Sequence, residues 1–117
     1  MHEELKQLKP KILKDAAYLV SKGWCHGSYA RDGNGDSVEF TSDDACMFCA
    51  MGAIQKASFS AVSDMTDAWQ VCEFCLHELF KHLRLHKISS EAITIAKWND
   101  SSNQEEVASK LLGAATS

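Results

Sequence analysis

From Asp64 to Leu85 the residues Met65, Trp69, Cys72, Leu76, Leu79 and Leu83 recur at spacings of three and four. On a helix of 3.6 residues per turn these positions form one continuous stripe, which needs other elements to cover it. Lys81, Arg84 and Lys87 stand near the end of that stretch, where the negative end of the helix dipole favours cations.

The same period recurs elsewhere. Leu5, Leu8, Ile12, Ala16 and Leu19 share a face. Pro10 is tolerated only in a first helical turn, so the main helix begins near Lys9. Gly23 ends it, read as a residue free to take positive φ. Trp24 to Thr41 reads as a loop with Gly27, Gly33 and Gly35, in which Ser37–Phe40 makes at most one short strand. Ser42 followed by Asp43 and Asp44 predicts a helix start, with Cys46, Cys49, Ala50, Ala53 and Ala57 as its small-residue inner face up to about Ser58. Ser89 or Ser90 caps a short helix to Trp98, Asn99-Asp100 turns the chain, and Ser102 with Glu105 forms a capping box for a last helix, Glu105 to Ala115. The expectation is an all-α domain over residues 1–117. It is a compact, antiparallel bundle of four to five helices with a long loop after the first.

Composition narrows the function classes. At 117 residues the chain can bury one core without disulfides or metal. A net charge of -4 argues against a general nucleic-acid binder. No run of apolar residues is long enough for a membrane span, and the charged start Met1-His2-Glu3-Glu4-Leu5-Lys6 does not read as a secretion signal. A cytoplasmic protein is expected, its five cysteines present as thiols or metal ligands.

Gly23-Trp24 followed by Gly27, the turn at Asp32-Gly33, the run Cys49-Ala50-Met51-Gly52-Ala53-Ile54, and Trp98-Asn99-Asp100 before an alanine-rich helix together resemble a set of small bacterial and phage proteins known only as a domain of unknown function. The resemblance spans about residues 10 to 116. It implies a compact helical domain, often on mobile genetic elements, and carries over no catalytic residue. Of the cysteines, only the position of Cys49 matches that pattern, which counts against a family-wide metal site.

The sharpest chemical signal is Cys46-x-x-Cys49 with Cys72-x-x-Cys75, which approaches the spacing of a four-cysteine zinc site. Against it, both pairs are predicted inside helices, and cysteine is also an ordinary small core residue. His82 and His86 stand at i and i+4, a metal-compatible spacing without an evident third ligand. Asp32-Gly33-Asn34-Gly35-Asp36 imitates the start of a calcium loop, but Ser37 and Asp43 occupy the positions that need glycine and a long carboxylate, so a plain turn is favoured. Cys25-His26 would need a distant partner to act as nucleophile and base. His77, Lys81 and Arg84 form a basic strip that reads as a solvated face.

Trp69 is core by period. Trp24 and Trp98 sit at helix ends, where a buried indole N–H needs a partner. They plug the bundle ends while Asn99 and Asp100 cap the neighbouring helix or, with His26 and Asp100, line a small binding pocket. No catalytic signature and no cofactor motif appears. The leading expectation is an accessory module acting through contact with another protein or by self-association. The alternatives are a zinc-stabilised domain using Cys46, Cys49, Cys72 and Cys75, and a small enzyme with a pocket at Trp24, His26, Trp98 and Asp100.

Overall fold

The computed structural model describes residues 1–117. One helical turn, α1 (Glu3–Lys6), leads into α2 (Lys9–Lys22), with Pro10 in its first turn. Two short antiparallel strands, β1 (Ala30–Arg31) and β2 (Met47–Phe48), precede α3 (Ala50–Ala61), α4 (Met65–Leu83), α5 (Glu91–Asp100) and α6 (Gln104–Thr116). The helical architecture, the long connection after α2 and the tiny β pairing are those the sequence predicts.

The inner face of α2, Ile12, Leu13, Ala16, Ala17 and Val20, is buried, most extensively against α6 and then α3. α3 is covered on nearly every side, from Ala50 through Gln55 and again at Ala57 and Ser58. Its alanines leave room for neighbouring backbones to approach closely. An ion pair joins Lys9 at the start of α2 to Glu78 on α4 at 3.7 Å, and Lys81 pairs with the same carboxylate.

Local readings fail where tertiary pairing wins. α3 begins at Ala50, not after Ser42: the Ser42 hydroxyl accepts from the Asp44 N–H at 3.1 Å and closes only a turn. The intervening backbone is held extended by the loop, with Cys46 N–H donating to Arg31, Phe48 N–H to Gly23 and Cys49 N–H to Tyr29. Cys46 and Cys49 therefore lie outside the helix interior, Cys49 as its N-cap. Ser37 makes a single bridge to Arg31, and the paired strand partner of β1 is Met47–Phe48. Gly23 has φ of -169°, extended rather than positive. Its glycine is required because a Cβ would run into the Cys46 carbonyl oxygen.

The α4 stripe is rotated from its expected setting. Ala68, Val71, Cys72, Cys75 and Leu79 are buried, while Met65 is 68% and Trp69 40% exposed. Ala68 takes the inner position that the period gives to Trp69. The indole instead packs edge-on against Phe59 and Phe40, with ring centroids 4.9 and 6.2 Å away. Asp64 caps α4, and Arg84 ends it in the left-handed region at φ 55°. Ser90 caps α5. The cap of α6 lies one residue beyond the predicted box: Asn103 accepts from the Glu106 N–H at 2.9 Å, and the Ser102 hydroxyl turns back to the Trp98 carbonyl. Asn99 and Asp100 are the last residues of α5, so the turn starts at Ser101. No helix is long and apolar enough to cross a membrane.

Candidate functional site

The end of α5 meets the loop after α2 at one side chain. Asn99 is 1% exposed. Its Oδ1 accepts from the Trp24 indole N–H at 3.0 Å and from the Ala50 backbone N–H at 3.0 Å. Its Nδ2 donates to the Cys25 carbonyl at 3.2 Å and to Asp100 at 3.3 Å. Ala50 is the first residue of α3, whose leading N–H groups have no partner within their own helix. Asn99 supplies one from a different helix. Beside it, Asp100 accepts from the Gly27 N–H at 3.1 Å. Gly27 holds φ 76°, a conformation that glycine reaches at little cost.

Of the predicted site residues, this junction gathers Trp24, His26 and Asp100 around one loop. The Trp24 and His26 rings lie 5.7 Å apart, tilted by 44°. His26 and Asp100 are exposed and Trp24 is half-buried. A cleft of about 280 Å³ is lined by Trp24, Cys25, His26, Arg31, Gly35 and Met47. A second, of about 350 Å³, is lined in part by Gly27, Cys49, Met51, Asn99 and Asp100. Trp98 borders neither; it packs half-buried against the core. The four residues thus do not share one pocket. Asn99, the best-connected polar group here, is read from sequence as part of a turn and, with Asp100, as a cap of the neighbouring helix. Its signal is its place between Trp98 and Asp100, which does not reveal that it points inward.

The cysteines here are poor nucleophiles. Burial, then the neighbouring Cys49, pushes the Cys25 thiol up to about 11. Burial also raises Cys49, although the Gly52 N–H pulls the other way. The Cys25 thiol donates to the Ser28 carbonyl at 3.5 Å, so it forms no dyad with the adjacent His26.

The other metal-like patterns come apart. The zinc reading needs Cys46, Cys49, Cys72 and Cys75 together, but Cys46 is exposed and no three His, Cys, Asp or Glu side chains are grouped closely enough to hold one ion. Cys72 and Cys75 are core residues, their thiols pushed by burial to about 11 and about 12. α4 stops before His86, which removes the helical i, i+4 relation to His82. The Asp32 carboxylate accepts from the Asn34 and Asp36 N–H groups at 2.9 and 3.0 Å, the geometry of a plain turn. The basic strip is broken too, with His77 paired to Glu91 and Lys81 to Glu78.

Two further surfaces stand out. A groove of about 420 Å³ runs between α2 and α6, with Ala17, Ser21, Ala108 and Ser109 among its lining and Tyr18 and Leu112 beside them. Those two apolar side chains are 62% and 48% exposed. A cleft of about 450 Å³ lies among Tyr29, Val38, Phe40, Gln55 and Trp69. Gln55 is not a candidate from sequence; its one trace there is an amide inside an apolar helix.

Comparison with curated proteins and with solved structures finds no match. Residues 7–117, nearly the whole chain, do match a family. The chain belongs to the family of unknown function DUF6197.

Proposed function

We propose that this protein is a non-catalytic interaction module that presents a helical surface to another protein, as a cytoplasmic accessory of a bacterial or phage mobile element. The observation that carries this reading is the α2–α6 groove. Small residues at Ala17, Ser21, Ala108 and Ser109 permit close approach of a guest helix, and Tyr18 and Leu112 are apolar anchors left uncovered. Lys14 borders the groove, and the Lys22 ammonium lies 5.3 Å from the Tyr18 ring centroid. On a chain of net charge -4 this is a locally basic rim, suited to an amphipathic helix with an acidic flank. The mobile-element setting rests on the family resemblance.

The test is site-specific photocrosslinking in cells that naturally contain the protein. A benzophenone amino acid replaces Tyr18 in one sample and the exposed Glu73 of α4 in another. The reading expects a discrete protein adduct from position 18, none from position 73, and loss of the adduct when Leu112→Asp is added to a chain that keeps its helical spectrum. Equal labelling from both positions, or none from position 18, rejects it.

A further inference from the structure

The cleft at Tyr29, Phe40 and Trp69 shares no lining residue with the α2–α6 groove and stands independently of the docking reading. Its volume of about 450 Å³ falls within the ordinary range of small-molecule sites. Three aromatic side chains line it, and two of them keep much of their surface uncovered, Tyr29 at 52% and Trp69 at 40%. Trp69 is fixed by its edge contacts to Phe40 and Phe59, so it is a set wall rather than a loose side chain. Exposed aromatic faces of this kind attract flat guests.

Gln55 supplies the second observation. It lies in the wall of the same cleft, is 8% exposed, and its amide oxygen is buried without any hydrogen-bond partner. A buried polar atom left unpaired is costly, and native structures hold few of them. The last torsion of glutamine is broad and nearly two-fold, so the amide can turn either its oxygen or its NH₂ toward a group in the cleft. A primary amide is satisfied by a donor and an acceptor side by side. That is the pairing by which glutamine reads adenine. The charge of the lining narrows the guest further: Glu39 is present, with no lysine or arginine to balance a phosphate or carboxylate.

We propose that this cleft binds a neutral, planar nitrogen heterocycle carrying a hydrogen-bond donor beside an acceptor, of the adenine or adenosine type, against the Tyr29, Phe40 and Trp69 rings and paired with the Gln55 amide. Phosphorylated forms bind less well, because their negative charge meets Glu39.

The experiment titrates the full chain with adenine, adenosine, purine riboside and AMP, following tryptophan fluorescence and the glutamine side-chain amide resonances. The proposal expects saturable quenching by adenosine that disappears in Trp69→Phe while Trp24 and Trp98 still emit, and a shift of the Gln55 NH₂ signals. Purine riboside, which lacks both the exocyclic amine and a ring N–H, and the Gln55→Met variant each weaken binding about tenfold. Gln55→Met removes the orphan amide, so the variant keeps or raises its melting temperature and remains a fair test of binding. Glu39→Gln, at an exposed position, brings AMP closer to adenosine. No saturable change with adenine or adenosine up to millimolar concentration overturns the proposal, as does equal binding by wild type and Gln55→Met, or tighter binding of AMP than of adenosine to the wild type.

Discussion

The Trp24 indole N–H donates to Asn99 Oδ1 at 3.0 Å across 75 positions of sequence, and the same oxygen receives the first N–H of α3. One amide thus holds together the loop after α2, the start of α3 and the end of α5. Because that amide is buried, its removal leaves the Ala50 N–H and the Cys25 carbonyl without a partner in the interior, and the half-buried Trp24 indole N–H without its acceptor.

Asn99→Ala is therefore expected to destabilise the protein by about 3 kcal/mol, since it strands the Ala50 N–H and the Cys25 carbonyl in the interior and takes the acceptor from the half-buried Trp24 indole. Asn99→Asp keeps the acceptor for Trp24 and Ala50, yet loses the donor to Cys25 and sets a charge beside Asp100; it too is destabilising. Trp24→Phe removes one of these bonds together with part of the packing. Urea unfolding followed by circular dichroism ranks the three variants. An Asn99→Ala midpoint equal to wild type shows that the junction contributes nothing to stability.

Two glycines mark places where backbone meets backbone. A Cβ at Gly23 would run into the Cys46 carbonyl oxygen, and one at Gly52 into the Tyr29 carbonyl oxygen. Each oxygen belongs to a residue that directly precedes a strand, Cys46 before β2 and Tyr29 before β1, so moving it pulls on the β pairing. Gly23→Ala and Gly52→Ala are each expected to cost about 3 kcal/mol. Gly33 has nothing near its missing Cβ and no positive φ, so Gly33→Ala is neutral or stabilising by about 0.5 kcal/mol. Thermal melts of the three variants check the contrast. Equal melting temperatures mean that the loop gives way freely.

What was legible in the sequence followed from the strength of each local signal. Pro10 placed the start of α2, and the periods of three and four gave α2 and α4, because those helices satisfy their own backbone and need only one covered face. Ser42 misled about α3: a hydroxyl followed by two aspartates is equally good chemistry for a turn, and only the ladder to Gly23, Tyr29 and Arg31 decides between them. The rotation of α4 was invisible for a similar reason. Period locates a stripe, but Ala68 and Trp69 are neighbours, and the choice of which faces inward depends on the small-residue surface of α3. At the candidate site, the structure sets Trp98 apart from both clefts, but Trp24, His26, Trp98 and Asp100 were all legible as one group because they flank glycine-rich or helix-ending segments. Gln55 was not, since nothing in a sequence tells a satisfied buried amide from an orphaned one.

The scattered cysteines predict a metal-free protein. Protein purified without chelator or metal-affinity resin is expected to show a zinc-free native mass and a melting temperature unchanged by EDTA. Thiol labelling should then be staged: Cys46 is exposed and reacts at once, whereas Cys25, Cys49, Cys72 and Cys75 are buried and react only as the chain opens. Stoichiometric zinc that protects four thiols until it is stripped would contradict the arrangement described here.

Burial of Cys25, Cys72 and Cys75 also lowers stability at alkaline pH. Cys25 and Cys72 are raised to about 11 and Cys75 to about 12, against an ordinary value of 9.0. A folded chain keeps these protons after an unfolded chain has lost them. The unfolded state therefore binds fewer protons above 9.0, and stability must fall as pH rises. More than about one pH unit below that value both states are protonated at these sulfurs, and they add no slope. The urea midpoint is thus expected to be insensitive to these groups near neutrality and to drop steadily from 9.0 toward about 12. Cys75→Ala separates this effect from the titration of lysines and tyrosines. The variant starts less stable, but its alkaline slope should be shallower by up to one proton, about 1.4 kcal/mol per pH unit. An identical slope in both proteins means that the Cys75 thiol ionises in the folded chain as readily as in the open one.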